Sequence, residues 1–357
     1  MVSVPFDVDT LVFAVFAPIL GVIGFWFLQL LFIELQKRML GKLRHKHEAF
    51  CRFTNFIGIL FQTVCHALGY TVTHSGIAHF KVTVNYGKVE PKKEKTGVFE
   101  WISTSFLLLG PFFIPAGILL LCSYFVVPPQ VFNIPRPEAY TFMETLTQFG
   151  TALFTFAEGF LRFLSSIDLL NPVHVGFLLL LFFFGMGIRP SYMGEERKEK
   201  IDMISDLKNI KNHLIQKPLY LIIFFIIMYL FFYLSLFLNR KWYIAGFILF
   251  GWIALIAIIA ILLTFLILLL IKATDSIARR WNMLPFLTVP LSYAIARLFF
   301  VYFPIDQIET ISLLIMLFST LIVTILLIKY KKTNRFKTAS KMKHMKVEDG
   351  KKRTPEK

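Results

Sequence analysis

Long apolar blocks constrain this chain more than any motif does. They lie at roughly 10–33, 53–72, 101–128, 172–188, 218–238, 242–272, 284–303 and 308–329. A hydrocarbon core of about 30 Å is crossed by about 20 apolar residues in a helix. Inside lipid each backbone polar group must be satisfied within its own segment, which favours helices. The pattern predicts an all-α polytopic membrane protein of about eight transmembrane helices. Block 53–72 is interrupted by Gln62, Thr63 and His66, so seven spans are the alternative. A hydrophobic content of 56% and 41 phenylalanines exceed what a soluble core of this length uses.

Charge distributes the connections between the two sides. Lys81, Lys88, Lys92, Lys93 and Lys95 place 73–99 in the cytoplasm, while 129–171, with only Arg136 and Arg162, reads as external. Stretch 189–217 is internal through Arg189, Arg197, Lys198, Lys200, Lys208, Lys211 and Lys217. Arg240 and Lys241 fall outside, and Lys272, Arg279 and Arg280 inside. Link 37–52 carries Lys37, Arg38, Lys42, Arg44, Lys46 and Arg52, and would be stranded outside if 53–72 spans. The start, Met1 to Asp9, has acids and no basic residue, so the first block reads as a retained span.

Residues 331–357 hold 11 Lys/Arg against Glu348, Asp349 and Glu356, a net of +8. They read as a basic, disordered cytoplasmic tail attracted to anionic lipid head groups. Its only aromatic is Phe336, too little stacking surface for a nucleic-acid partner. The expected partners are the bilayer and other transmembrane proteins. Cys51, Cys65 and Cys122 have no paired spacing, so no disulfide framework is expected.

Two stretches depart from the helical pattern. Residues 77–89 alternate apolar and β-branched residues with polar ones, a strand signal, with Gly87 as a turn. Residues 141–165 mix Phe142, Met143, Leu146, Phe149, Leu153 and Phe154 with polar residues, which predicts an amphipathic helix along the external interface.

Within block 53–72 stands His66-Ala67-Leu68-Gly69-Tyr70. A zinc protease writes H-E-x-x-H there, two ligands one helical turn apart with a glutamate as base. The strand-like 77–89 follows, and then Leu109-Gly110-Pro111-Phe112-Phe113-Ile114. In this order the chain resembles the site-2 protease family of intramembrane zinc metalloproteases over roughly residues 53–190. In that family one span carries H-E-x-x-H, a small strand element follows, and the next span carries G-P-x-x-N. A later span supplies an aspartate as third zinc ligand.

The resemblance implies a vestigial groove lined by His66, Ala67, Tyr70, Gly110, Pro111, Ile114, Asp168 and Asn171. Ala67 cannot take a proton from a metal-bound water, and the Tyr70 phenol is a poor zinc ligand beside an imidazole. Ile114 replaces the Asn, and Asp168 precedes Asn171 where the family has the acid after it. No metal or cofactor is therefore expected.

The expected organisation is a protease-like core at 1–190, a four-helix membrane bundle at 217–330, and the tail. The expected function is a catalytically inactive member that binds membrane helices or partner proteins. The first alternative is a transporter or channel-like subunit using Arg297, an intramembrane charge. The second is an active protease with a rebuilt metal site. The family's arrangement makes 53–72 a full span, which puts both termini in the cytoplasm and leaves 37–52 against the charge rule.

Overall fold

The computed structural model describes residues 8–134, 140–188, 203–278, 280–303 and 306–351. Arg136, Arg189, Arg197, Lys198, Lys200, Arg279 and the tail's last residues, 352–357, lie outside them. The elements are α1 (Phe16–Leu43), α2 (Glu48–Val72), β1 (Ile77–Val82), β2 (Gly87–Pro91), α3 (Val98–Ser123), α4 (Phe142–Ser165) and α5 (Pro172–Gly187). They continue with α6 (Met203–Gln216), α7 (Pro218–Phe237), α8 (Trp242–Thr274), α9 (Leu284–Phe300) and α10 (Ile308–Lys351).

By length and composition, five helices can cross a membrane: α1, α3, α7, α8 and α10 over Ile308–Thr333. The chain is a multi-pass helical membrane protein, with fewer full-length spans than its apolar blocks suggest. Helices α5 and α9 are apolar but only 16 and 17 residues long. Helix α2 begins within the basic link, at Glu48, and carries polar residues along its length, so it falls outside that set.

The strand element is a two-stranded antiparallel hairpin, with Phe80 opposite Val89 and Val82 opposite Gly87. Its turn is Thr83–Tyr86, closed by Thr83 N donating to Tyr86 O at 2.9 Å. Gly87 therefore opens the second strand and is not itself the turn. The short charged helix α6, inside a stretch read only as a basic connection, is a further element that hydropathy did not mark.

The chain divides into two compact units. The first holds 1–164 and 170–266, so α7 and most of α8 belong with α1–α6 and not to a separate bundle. Two buried glutamines on one face of α1 tie it to its neighbours. Gln29 Nε2 donates to Phe112 O on α3, and Gln36 Nε2 to Gly185 O on α5, each at 3.0 Å. In lipid such bonds across helices replace the hydrophobic drive that water would supply.

Helix α4 matches the predicted amphipathic stretch, but its apolar face is covered by protein. Phe149, Ala152, Leu153, Phe156 and Phe160 are all buried. Phe156 stacks on Trp252 of α8, and Trp252 Nε1 donates to Ala152 O at 3.3 Å.

The second unit holds 165–169 and 267–357. Helices α9 and α10 pack against each other, and Thr310 Oγ1 donates to Ser165 O at 2.9 Å. Helix α10 runs unbroken to Lys351, so residues 331–351 extend the helix where a disordered tail was expected.

Candidate functional site

Three elements expected to stand together do so within the first unit. The close approach of α2 and α3 depends on absent side chains. A Cβ on Gly110 would meet Cys65 Cβ at 3.0 Å, and one on Gly69 would meet Phe106 Cβ at 2.9 Å. The hairpin lies along the same helix. Gly87 sits against Thr63 and Ile59, and Asn55 Nδ2 donates to Val84 O at 3.1 Å.

These contacts give α2 two stripes. At about 100° per residue, Cys65 and Gly69 form the stripe that meets α3. Ile59 and Thr63 form the stripe that meets the hairpin, and His66 and Tyr70 continue it one and two turns further on. His66 thus flanks the α2–α3 seam and does not face it. His66, Ala67 and Tyr70 are each half-buried, whereas Pro111 is buried in α3 and Ile114 half-buried one turn beyond Gly110. The seam where a groove was expected is closed by packing.

The remaining expected groove residues have other employment. Asn171 is the N-cap of α5: its Oδ1 accepts from Val173 N at 2.9 Å, satisfying one of the amides a helix start leaves open. Fourteen residues of α5 separate it from Gly185, near the end that meets α2 through Phe61 and Phe184. Asp168 belongs to the second unit. Its Oδ1 accepts from Tyr293 Oη at 2.9 Å and its Oδ2 from Arg297 Nη2 at 3.0 Å. Arg297 also reaches Glu309 Oε1 through Nη1 at 3.0 Å, and Tyr293 Oη accepts from Leu169 N at 3.1 Å. Arg297 is thereby neutralised by two carboxylates, with its side chain 16% exposed. Among the described residues, no group of three His, Cys, Asp or Glu side chains is placed to hold a metal ion.

Two polar clusters escaped the sequence. Where α6 meets α3, the His213 ring stacks on Trp101 at 5.3 Å between centroids, and its Nε2 lies 3.0 Å from Ser105 Oγ. Lys217 pairs with Glu100 at 2.7 Å beside them. Burial lowers the His213 pKa below its ordinary value, a hydrogen bond with the Trp101 backbone opposes this, Lys217 lowers it further and Glu100 raises it. The imidazole is thus biased toward its neutral form. The Ser–His pair has no carboxylate behind it in hydrogen-bond reach, and Ser105 Oγ already donates to Trp101 O, so the cluster reads as a dock.

The second cluster surrounds the turn between α7 and α8. Its sequence signal was Arg240-Lys241 between two apolar helices, read above only as a marker of side.

No known protein family, curated protein or solved structure matches this chain.

Proposed function

We propose that this protein is a non-hydrolytic membrane protein of site-2-protease-like arrangement, which holds membrane helices or partner proteins instead of cutting them. The observation that carries this reading is the joint packing of α2, the hairpin and α3, with Ala67 and Tyr70 where a protease needs its base and second ligand. A methyl group cannot accept a proton, and a half-buried phenol competes poorly for zinc. Because the α2–α3 seam is closed, the surface offered to a partner is the flank carrying His66 and Tyr70. The transport alternative loses its polar site, since Arg297 is held by Asp168 and Glu309.

The orientation we propose differs from the one the family arrangement implies. Helices α1 and α8 run parallel: Tyr243 Oη donates to Val15 O at 2.6 Å near both starts. Some 21 residues further along each, Gln36 and Thr264 reach the same turn of α5, through Gly185 O and Phe182 O. Their starts therefore share one side. That side has Arg240 and Lys241 as its only basic residues, whereas the other has Lys37, Arg38, Lys42, Arg44, Lys46, Lys272, Arg279 and Arg280. The Met1 end is then external and link 37–52 cytoplasmic, which removes the conflict with the charge rule.

Metal analysis of the purified protein tests the function. Zinc well below one per chain is expected; stoichiometric zinc lost on His66→Ala overturns the reading. A photo-crosslinking residue at position 70 is expected to capture membrane proteins in cells, with none captured from the fully buried position 112. Equal labelling at both removes the proposed surface.

A further inference from the structure

The α7–α8 turn is built to present two cations beside a cleft. Asn239 takes a left-handed φ of 50°, which lets Arg240 N return to Ser235 O at 2.8 Å. Ser235 Oγ then donates to Arg240 O at 2.5 Å and accepts from Tyr243 N at 3.3 Å. The buried serine pins both sides of a four-residue turn, so the direction of Arg240 and Lys241 is set by the backbone. Lys241 Nζ donates to Ile134 O, which holds the ammonium over the cleft and leaves two of its three protons for another acceptor.

The cleft, of about 300 Å³ and open to solvent, lies between this turn and the first turns of α4. Tyr140, Thr145, Gln148 and Tyr243 contribute polar groups to its wall, Phe232 and Ile244 apolar ones, and no carboxylate lines it. The nearest acid, Asp9, is spent on the start of α4, where its Oδ2 accepts from Phe142 N at 2.9 Å. The positive charge of the lining is therefore uncompensated from within. Arginine and lysine side by side match a tetrahedral oxyanion, the fork by paired bonds and the ammonium as a point charge. Aromatic side chains with polar tips, as here, belong at the level of lipid head groups.

We propose that this cleft binds a phosphate-bearing group, the phosphodiester head group of a bilayer lipid. The proposal does not depend on the protease-like reading, since it uses none of α2, α3 or the hairpin. The site is placed where an acyl chain could leave along the exposed apolar residues Leu234 and Phe237 of α7.

Thermal unfolding of the full chain in a neutral detergent tests it, with phosphatidylglycerol, phosphatidylcholine or inorganic phosphate added. Phospholipid is expected to raise the midpoint with the logarithm of its concentration, by binding only the folded state. Arg240→Gln should weaken that response roughly tenfold in concentration, as loss of a charge-assisted pair does. Arg162→Gln, an exposed cation elsewhere on α4, should leave it unchanged. Because Arg240 is exposed, its substitution should not disturb the fold, and its midpoint without lipid checks this. Stabilisation by inorganic phosphate as strong as by lipid keeps the oxyanion site but overturns the head group as its source. Equal lipid responses from the natural protein and Arg240→Gln overturn the proposal.

Discussion

Arg297 and Asp168, 129 residues apart in the chain, are joined by a hydrogen-bonded ion pair of 3.0 Å between Nη2 and Oδ2. The bond ties the short 165–169 segment to α9, and the second arm of the same guanidinium ties α9 to α10. Removing the cation leaves two carboxylates facing each other in a partly desolvated place. Arg297→Gln should therefore destabilise the protein by about 2–3 kcal/mol. Asp168→Asn alone should cost less, and the double variant less than the sum, with a coupling of about 1 kcal/mol or more. Denaturation of the four proteins in one detergent measures the cycle, and a coupling of zero refutes the clamp.

The α2–α3 seam predicts opposite outcomes for two glycine substitutions. Gly110→Ala drives a methyl group into Cys65 Cβ and should cost about 1–3 kcal/mol. Cys65→Gly in the same chain should recover part of that loss. Gly24→Ala in α1 meets nothing within 4 Å and should gain about 0.5–1 kcal/mol from helix propensity alone. Unfolding midpoints compare them; a harmless Gly110→Ala would show that the seam is open.

The docking of α6 should depend on pH. The His213 pKa is lowered in the folded state, so the undocked helix binds more protons, and stability rises with pH. Docking is at full strength above the ordinary histidine value near 6.5 and is lost as pH falls through the lowered folded value. Trp101, Ser105, Glu100, Lys217 and Tyr220 surround the ring, and neither charge reverses the direction. Hydrogen exchange of 203–216 should quicken between pH 7.5 and 5, and His213→Gln should flatten that dependence. Slower exchange at the lower pH contradicts the assignment.

Restoring the motif should not restore a protease. Ala67→Glu with Tyr70→His rewrites H-E-x-x-H on α2, but Asp168 is held by Arg297 and Tyr293, and Asn171 caps α5. Two imidazoles without a third protein ligand should bind zinc weakly, and no cleavage of a membrane-helix substrate should appear. Isothermal titration with zinc and a cleavage assay read the two outcomes. Tight one-to-one zinc binding would mean that another ligand is in reach.

Much of the fold was legible because hydropathy and strand alternation are local. Helices α3, α5, α7, α8 and α9 begin within three residues of the apolar blocks that predicted them. The hairpin at 77–91 was visible as alternation, although its turn was placed at Gly87 instead of 83–86. Helix α6 was hidden because a polar helix docked through one histidine leaves no apolar run. The direction of His66 was also hidden, since the position of a side chain around α2 has meaning only once the neighbours are in place.

Composition and spacing by themselves determined that the chain is a multi-pass helical membrane protein, that a strand element follows the second apolar block, and that H-x-L-G lacks its carboxylate. These follow from the cost of unpaired backbone in lipid and from the chemistry of one side chain. Tertiary structure alone decided which stripe of α2 meets α3, that Asp168 serves Arg297, that α1 and α8 run parallel, and that Arg240 and Lys241 stand over one cleft. Each of these relations joins residues tens to hundreds of positions apart, and no local pattern records which distant surface a side chain will meet. The His66–Tyr70 stretch shows the division: its missing chemistry was readable in the sequence, and its place beside the hairpin was not.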